Sequence, residues 1–149
     1  MKRLVLGAAL VFLAACGAGE EKNTPPPPPS IPAESFRDAT MTQDGADIHV
    51  TRAPGTSSGV TLRPPETPAQ LATFTVEGQA RVSARQSGWT RLRTAESYSL
   101  MVGGDGVREI RILPRTDEPI TIRVTSLRPC GGEVICTPIV EEPEATPSQ

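Results

Sequence analysis

The chain has 149 residues, 16 of them proline, with 3 % aromatic residues and a formal net charge of −2. Between Phe36 and Ile139 it carries twelve arginines against eleven aspartates and glutamates, so this stretch is almost neutral. Near-neutrality argues against bulk nucleic-acid binding, and the length suits a single core of about a hundred residues rather than two domains.

The chain opens MKRLVLGAALVFLAAC: Lys2 and Arg3 form a short positive region, and Leu4 to Ala15 an apolar run closed by small residues. This is the pattern of a secretory signal, too short to remain as a membrane-spanning helix. Its end, Leu13-Ala14-Ala15-Cys16, resembles the lipobox of bacterial lipoprotein precursors. That resemblance implies cleavage before Cys16, a diacylglyceryl thioether on its sulfur and acylation of the new amino terminus. Several acyl chains would anchor the protein stably where one would not. Gly17, where enteric-type sorting reads an aspartate as inner-membrane retention, points to the outer membrane.

Residues 1–15 are thus expected to be a signal peptide. Residues 16–35, GAGEEKNTPPPPPSIPAES behind the lipidated cysteine, read as a linker. They are too poor in large apolar side chains to offset ordering entropy. Pro25 to Pro29 should form polyproline II, rising ~3.1 Å per residue and stiffening the tether. Residues 36–140 are assigned to one β-domain and 141–149 to a disordered acidic tail. Every cation in the domain is arginine, reflecting either a GC-rich genome or a use for bidentate contacts.

Within the domain, short runs with alternating or β-branched character recur between turn signals. In chain order they are residues 46–52, 59–63, 72–78, 80–85, 89–94, 98–102, 108–113 and 120–127. This spacing predicts an all-β fold, a small antiparallel sandwich or barrel-like domain. Gln43-Asp44-Gly45-Ala46 suits a two-residue hairpin turn. Thr67-Pro68-Ala69-Gln70 has a capping-box start that supports at most a turn or two of helix. Alternation puts Ile110 and Ile112 opposite Glu109, Arg111 and Leu113. It likewise groups Ile120, Ile122, Val124 and Ser126 against Thr121, Arg123, Thr125 and Leu127. The core is expected to be Val, Ile and Leu around Phe74, Trp89 and Tyr98.

One stretch stands out, QARVSARQSGWTRLRT at 79–94, with four arginines and no acid. If 80–85 and 89–94 pair across a Gln86-Ser87-Gly88 loop, Arg85 faces Trp89, Ser83 faces Arg91 and Arg81 faces Arg93. All six side chains then share one face. Arg81, Arg85, Trp89, Arg91 and Arg93 are the candidate anion-binding residues, because guanidinium forks match oxyanions and Arg85 can stack on Trp89. The competing reading is a solvated outer face neutralised by Glu77, Glu96 or Glu109, and a bulge there would turn Trp89 inward.

Cys130 and Cys136, in PCGGEVICTP, are expected to form a structural disulfide in an oxidising compartment. With His49 they are too few donors for zinc, so no metal or cofactor is expected. No G-x-S-x-G elbow or H-E-x-x-H motif occurs; Ser57-Ser58-Gly59 reads as a turn, and Gly103-Gly104-Asp105-Gly106 lacks the P-loop lysine. An enzyme is therefore not expected. The expected protein is a lipid-anchored envelope lipoprotein facing the periplasm, binding or scaffolding an envelope protein, with strand addition as one mode of contact. The alternatives are recognition of an anionic glycan or lipid headgroup through the arginines, and a hydrolase or protease inhibitor.

Overall fold

The computed structural model describes residues 27–139. The signal peptide, Cys16, most of the linker and the acidic tail lie outside the described residues. Ten strands follow one another: β1 (Ala33–Phe36), β2 (Thr40–Asp44), β3 (Asp47–Thr51), β4 (Gly59–Leu62), β5 (Gln70–Glu77), β6 (Ala80–Arg85), β7 (Trp89–Arg91), β8 (Ser97–Val102), β9 (Glu109–Pro114) and β10 (Ile120–Pro129). They form two five-stranded antiparallel sheets, β1-β4-β9-β6-β7 (sheet A) and β2-β3-β10-β5-β8 (sheet B). The fold is an all-β sandwich, as the strand spacing predicts. It starts ahead of Phe36, with Ile31 buried and β1 running from Ala33.

The interior follows from alternation, since every second residue of a strand points to the same side. Val60, Leu62, Val82, Ile110 and Ile112 from sheet A meet Val50, Phe74, Ile120, Ile122 and Val124 from sheet B, all buried. Phe74 faces Tyr98 across the β5–β8 ladder and their rings stack 5.1 Å apart. The Tyr98 hydroxyl accepts a hydrogen bond from the Ala95 amide at 3.0 Å.

Four local expectations are corrected. Asp44 pairs with Asp47, so the β2–β3 turn is Gly45-Ala46, one residue later than expected, with Gly45 at φ 59°. No helical turn forms at Thr67–Gln70: the chain bends there and β5 begins at Gln70. A bulge lies between Val124 and Ser126 on β10, where the register against β5 shifts. The extra residue reverses the alternation, so Leu127, opposite Ala72, packs on the core while Ser126 turns outward beside Thr73. Trp89 is not a core residue; it stands on the outer face of sheet A, 43 % exposed.

Cys130 and Cys136 are joined as a disulfide. The stapled loop hangs from β10, held by the Cys130 amide donating to the Ala69 carbonyl at 3.0 Å. Beyond it, the Ile139 amide donates to Gln86 Oε1 at 3.0 Å, tying the chain to the loop of the β6–β7 hairpin.

Candidate functional site

The arginine hairpin forms in the expected register: Ser83 is opposite Arg91 and Arg85 opposite Trp89. The paired residues end at Arg91, although the Leu92 amide still donates to the Val82 carbonyl at 2.9 Å. Arg81 and Arg93 therefore do not meet as a ladder pair. On its other side β6 pairs with β9, placing Arg85 opposite Glu109, Ser83 opposite Arg111 and Arg81 opposite Leu113. The hairpin is the margin of a wider surface, the whole outer face of sheet A.

The centre of that face is Arg111, on the middle strand. Phe36 from one edge strand and Trp89 from the other converge on it. Its guanidinium carbon lies 4.0 Å from the Phe36 ring centroid and 4.3 Å from that of Trp89. Arg37 sits over Phe36 at 5.0 Å and Arg85 over Trp89 at 6.0 Å. A ladder of alternating cations and rings, Arg37–Phe36–Arg111–Trp89–Arg85, thus crosses the sheet from edge to edge. Each cation–π contact contributes about 0.5–2 kcal/mol, more where water is excluded. Arg111 Nε is buried without a hydrogen-bond partner, a donor held by ring faces alone. Each ring already carries two guanidinia, so the sheet presents N–H edges rather than bare aromatic faces.

Sequence local to each strand makes this layer possible. Phe36 is opposite Gly59, which has no side chain to obstruct a ring reaching inward. A Cβ on Gly59 would run into the Ile112 carbonyl oxygen and lie 2.9 Å from Leu113 Cα. Thr61, opposite Arg111, forms the floor of the face and is 4 % exposed.

Charge is only partly compensated here. Glu109, with a side chain 12 % exposed, bridges Arg63 and Arg85, contacting Arg85 Nε at 2.9 Å. Glu34 takes the Arg63 Nε at 2.9 Å. The hydrogen bond that Arg63 donates to Glu34, with the charge of Glu109, raises the Arg63 pKa above its usual range. Among the described residues, Arg81, Arg91, Arg93 and Arg111 have no carboxylate within salt-bridge distance. Seven arginines, Arg37 and Arg63 among them, against Glu34 and Glu109 leave five positive charges on this face of a nearly neutral domain. The outer face of sheet B differs: His49 and Thr121 share a 3.1 Å hydrogen bond, and Asp47 pairs with Arg123 amid threonines and serines.

The sequence reading put Arg81, Arg85, Trp89, Arg91 and Arg93 on one face, and the expected neutralisation by Glu109 applies to Arg85 alone among them. It missed Phe36, Arg37 and the assignment of Arg111 to the same surface. The only available signal was the wet-face alternation of REIRIL, which places Arg111 outward but does not say beside what. The other candidates are structural. Ser58 Oγ is buried and accepts from the Ala53 amide at 2.7 Å, closing a turn. The amides of Gly103, Gly104 and Gly106 donate to the carbonyls of Val107, Glu66 and Gly103, so they are not directed at a phosphate.

No protein-family model matches the chain, and no curated protein does. Among solved structures it is similar to a mutant of a carbohydrate binding module of family 29, at TM-score 0.44 and 15 % identity, covering 64 % of this chain and 78 % of that one. A mutant of the family 29 module CBM29-2 scores 0.46 at 15 % identity, covering 72 % of this chain and 89 % of that one. A CBM29-2 mutant complexed with mannohexaose scores 0.42 at 12 % identity, covering 66 % and 91 %.

Proposed function

We propose that this protein is a lipoprotein of the bacterial envelope, anchored through Cys16, whose β-sandwich is a non-enzymatic module that binds an anionic envelope ligand on the outer face of sheet A. The supporting observation is the edge-to-edge ladder around Arg111, flanked by Arg81, Arg91 and Arg93 without carboxylates. Guanidinia braced against rings are pre-organised, so less rotamer entropy is lost when they grip an oxyanion. A solvated face of no function has no need to gather five unbalanced cations on one side of a neutral domain, where they repel one another. Strand addition by an envelope protein has less to build on: the edges of sheet A are strands of 4 and 3 residues, too short to template much pairing. The 6-residue β8, at an edge of sheet B, is the better edge for such a partner.

Two experiments test the proposal. Labelled palmitate should be incorporated into the wild type and lost in Cys16→Ala. The detergent-solubilised protein should be retained on immobilised heparin and released by moderate salt, as screening demands. The triple variant Arg81→Ala, Arg91→Ala, Arg93→Ala, still carrying the Arg85–Glu109 pair, should elute at much lower salt while melting like the wild type. Equal retention of folded triple variant and wild type would overturn the assignment of this face.

A further inference from the structure

Beside Arg81 the arginine face runs into a cavity of about 210 Å³ lined by Arg52, Ser57, Arg81, Leu113, Pro114 and Arg115. Its lining holds no carboxylate, whereas three other cavities hold two each: Glu66 and Asp105, Glu77 and Glu96, and Asp47 and Glu77. Three chain segments build it: the end of β3, the turn before β4, and the segment from the end of β9 into Arg115, with Arg81 contributed by β6.

Its donors are positioned by bonds that leave N–H groups free. Arg52 Nε binds Asp117 Oδ1 at 2.8 Å and its Nη1 the Arg115 carbonyl at 3.0 Å, leaving Nη2 uncommitted. Arg115 is held by its amide on the Gln79 carbonyl at 2.9 Å and by Nη2 on Thr94 Oγ1 at 3.4 Å, leaving its other guanidinium N–H groups. Ser57 is fixed between Thr56 and Ser58, whose hydroxyls bond each other at 2.9 Å, while its own hydroxyl has no partner among the described residues. Leu113 and Pro114 form an apolar wall that does not compete for these donors. Three guanidinia less the Asp117 carboxylate leave two positive charges.

We propose that this cavity is a binding site for a phosphate monoester. A phosphomonoester carries close to two negative charges at neutral pH and three acceptor oxygens, which converging arginine forks and a hydroxyl satisfy together. The volume takes the phosphate and the first atoms of whatever bears it. Arg81 is common to the cavity and the flat face, so a phosphomonoester seated here continues onto the ladder. The inference deepens the proposed anion recognition, yet the cavity binds phosphate whether or not the flat face binds a polymer.

The test is a titration of the protein in detergent with inorganic phosphate, followed by amide and arginine Nε NMR signals, with nitrate at equal ionic strength as the control. Phosphate is expected to shift Ser57, Arg81 and Arg115, with affinity falling as pH drops through the second pKa of inorganic phosphate and the ligand loses its second charge. Arg115→Gln, which removes a charge-assisted donor, should weaken binding about tenfold. Ser57→Asp, a carboxylate at an exposed position of the lining, should abolish it, and Arg128→Ala, on β10 of sheet B, should leave it unchanged. Glucose 6-phosphate binding more tightly than inorganic phosphate assigns a glycan source, and phosphatidate vesicles doing so assign a lipid headgroup. Shifts no larger than those from nitrate, or equal binding by wild type and both cavity variants, overturn the inference. Phosphate binding without heparin retention would sink the flat-face proposal and leave this one standing.

Discussion

Replacing Glu109 by glutamine separates the stabilising role of this residue from its effect on binding. The carboxylate bridges Arg63 and Arg85 with a side chain 12 % exposed, whereas its partners are 50 % and 44 % exposed. The interaction therefore lies between a surface ion pair, worth under about 1 kcal/mol, and a buried one whose broken half costs about 3–5 kcal/mol. Discounted for the solvent around both arginines, the loss is about 1–2 kcal/mol. At about 4–8 °C per kcal/mol for a domain of this size, the melting midpoint falls by roughly 4–16 °C. Binding moves the other way. The face goes from five unbalanced positive charges to six, and one added charge about 8 Å from a bound anion in water contributes about 0.5 kcal/mol, roughly twofold. Calorimetry and heparin elution at low salt read the two effects from one preparation: earlier melting, later elution. An unchanged midpoint would refute the bridging role. A lowered midpoint with unchanged or weaker retention would refute the claim that surplus charge on this face does the binding.

Three further outcomes follow from the structure. Gly59→Ala places a methyl against the backbone of Ile112 and Leu113, which a flexible side chain cannot relieve, so the β4–β9 ladder must open; circular dichroism should show loss of the fold or a melting point lowered by more than about 10 °C, equivalent to about 2 kcal/mol or more. Reducing Cys130–Cys136 frees a loop with a sequence separation of 6 and should cost roughly 2 kcal/mol by the chain-entropy relation, seen as earlier denaturant unfolding with dithiothreitol. The Arg123 hydrogen bond, aided by its charge, holds the Asp47 pKa below the usual carboxylate value of 3.8. A lowered folded pKa means a contribution present above about pH 4 and lost as pH falls through the folded value; Asp47→Asn should flatten that part of the acid melting profile, and an identical acid profile in the variant would refute it.

Residue order along the chain was enough to establish the β-class, eight of the ten strands (β3 to β10), the hairpin register at Ser83 and Arg85, and the outward direction of Arg111. Each of these is local: alternation has a period of two, and a short loop dictates which residues face each other across it. The reading failed where a single residue changed the local count. The extra residue in the Val124–Ser126 bulge exchanged the faces of Ser126 and Leu127, and the turn at Gly45-Ala46 fell one position later than its composition implied. The short β1 and β2 carry too few apolar residues to announce themselves, so Phe36 was a domain boundary rather than part of a surface.

Strand order was decided by the tertiary structure alone. β9 lies between β4 and β6, and β1 closes the far edge of sheet A. That arrangement brings Phe36, Arg111 and Trp89, separated by more than seventy and twenty residues in sequence, into one ladder. Local pattern tells a side chain whether it meets water or core. Which wet side chains become neighbours depends on how the sheets bury their apolar faces together, and that is a property of the whole fold.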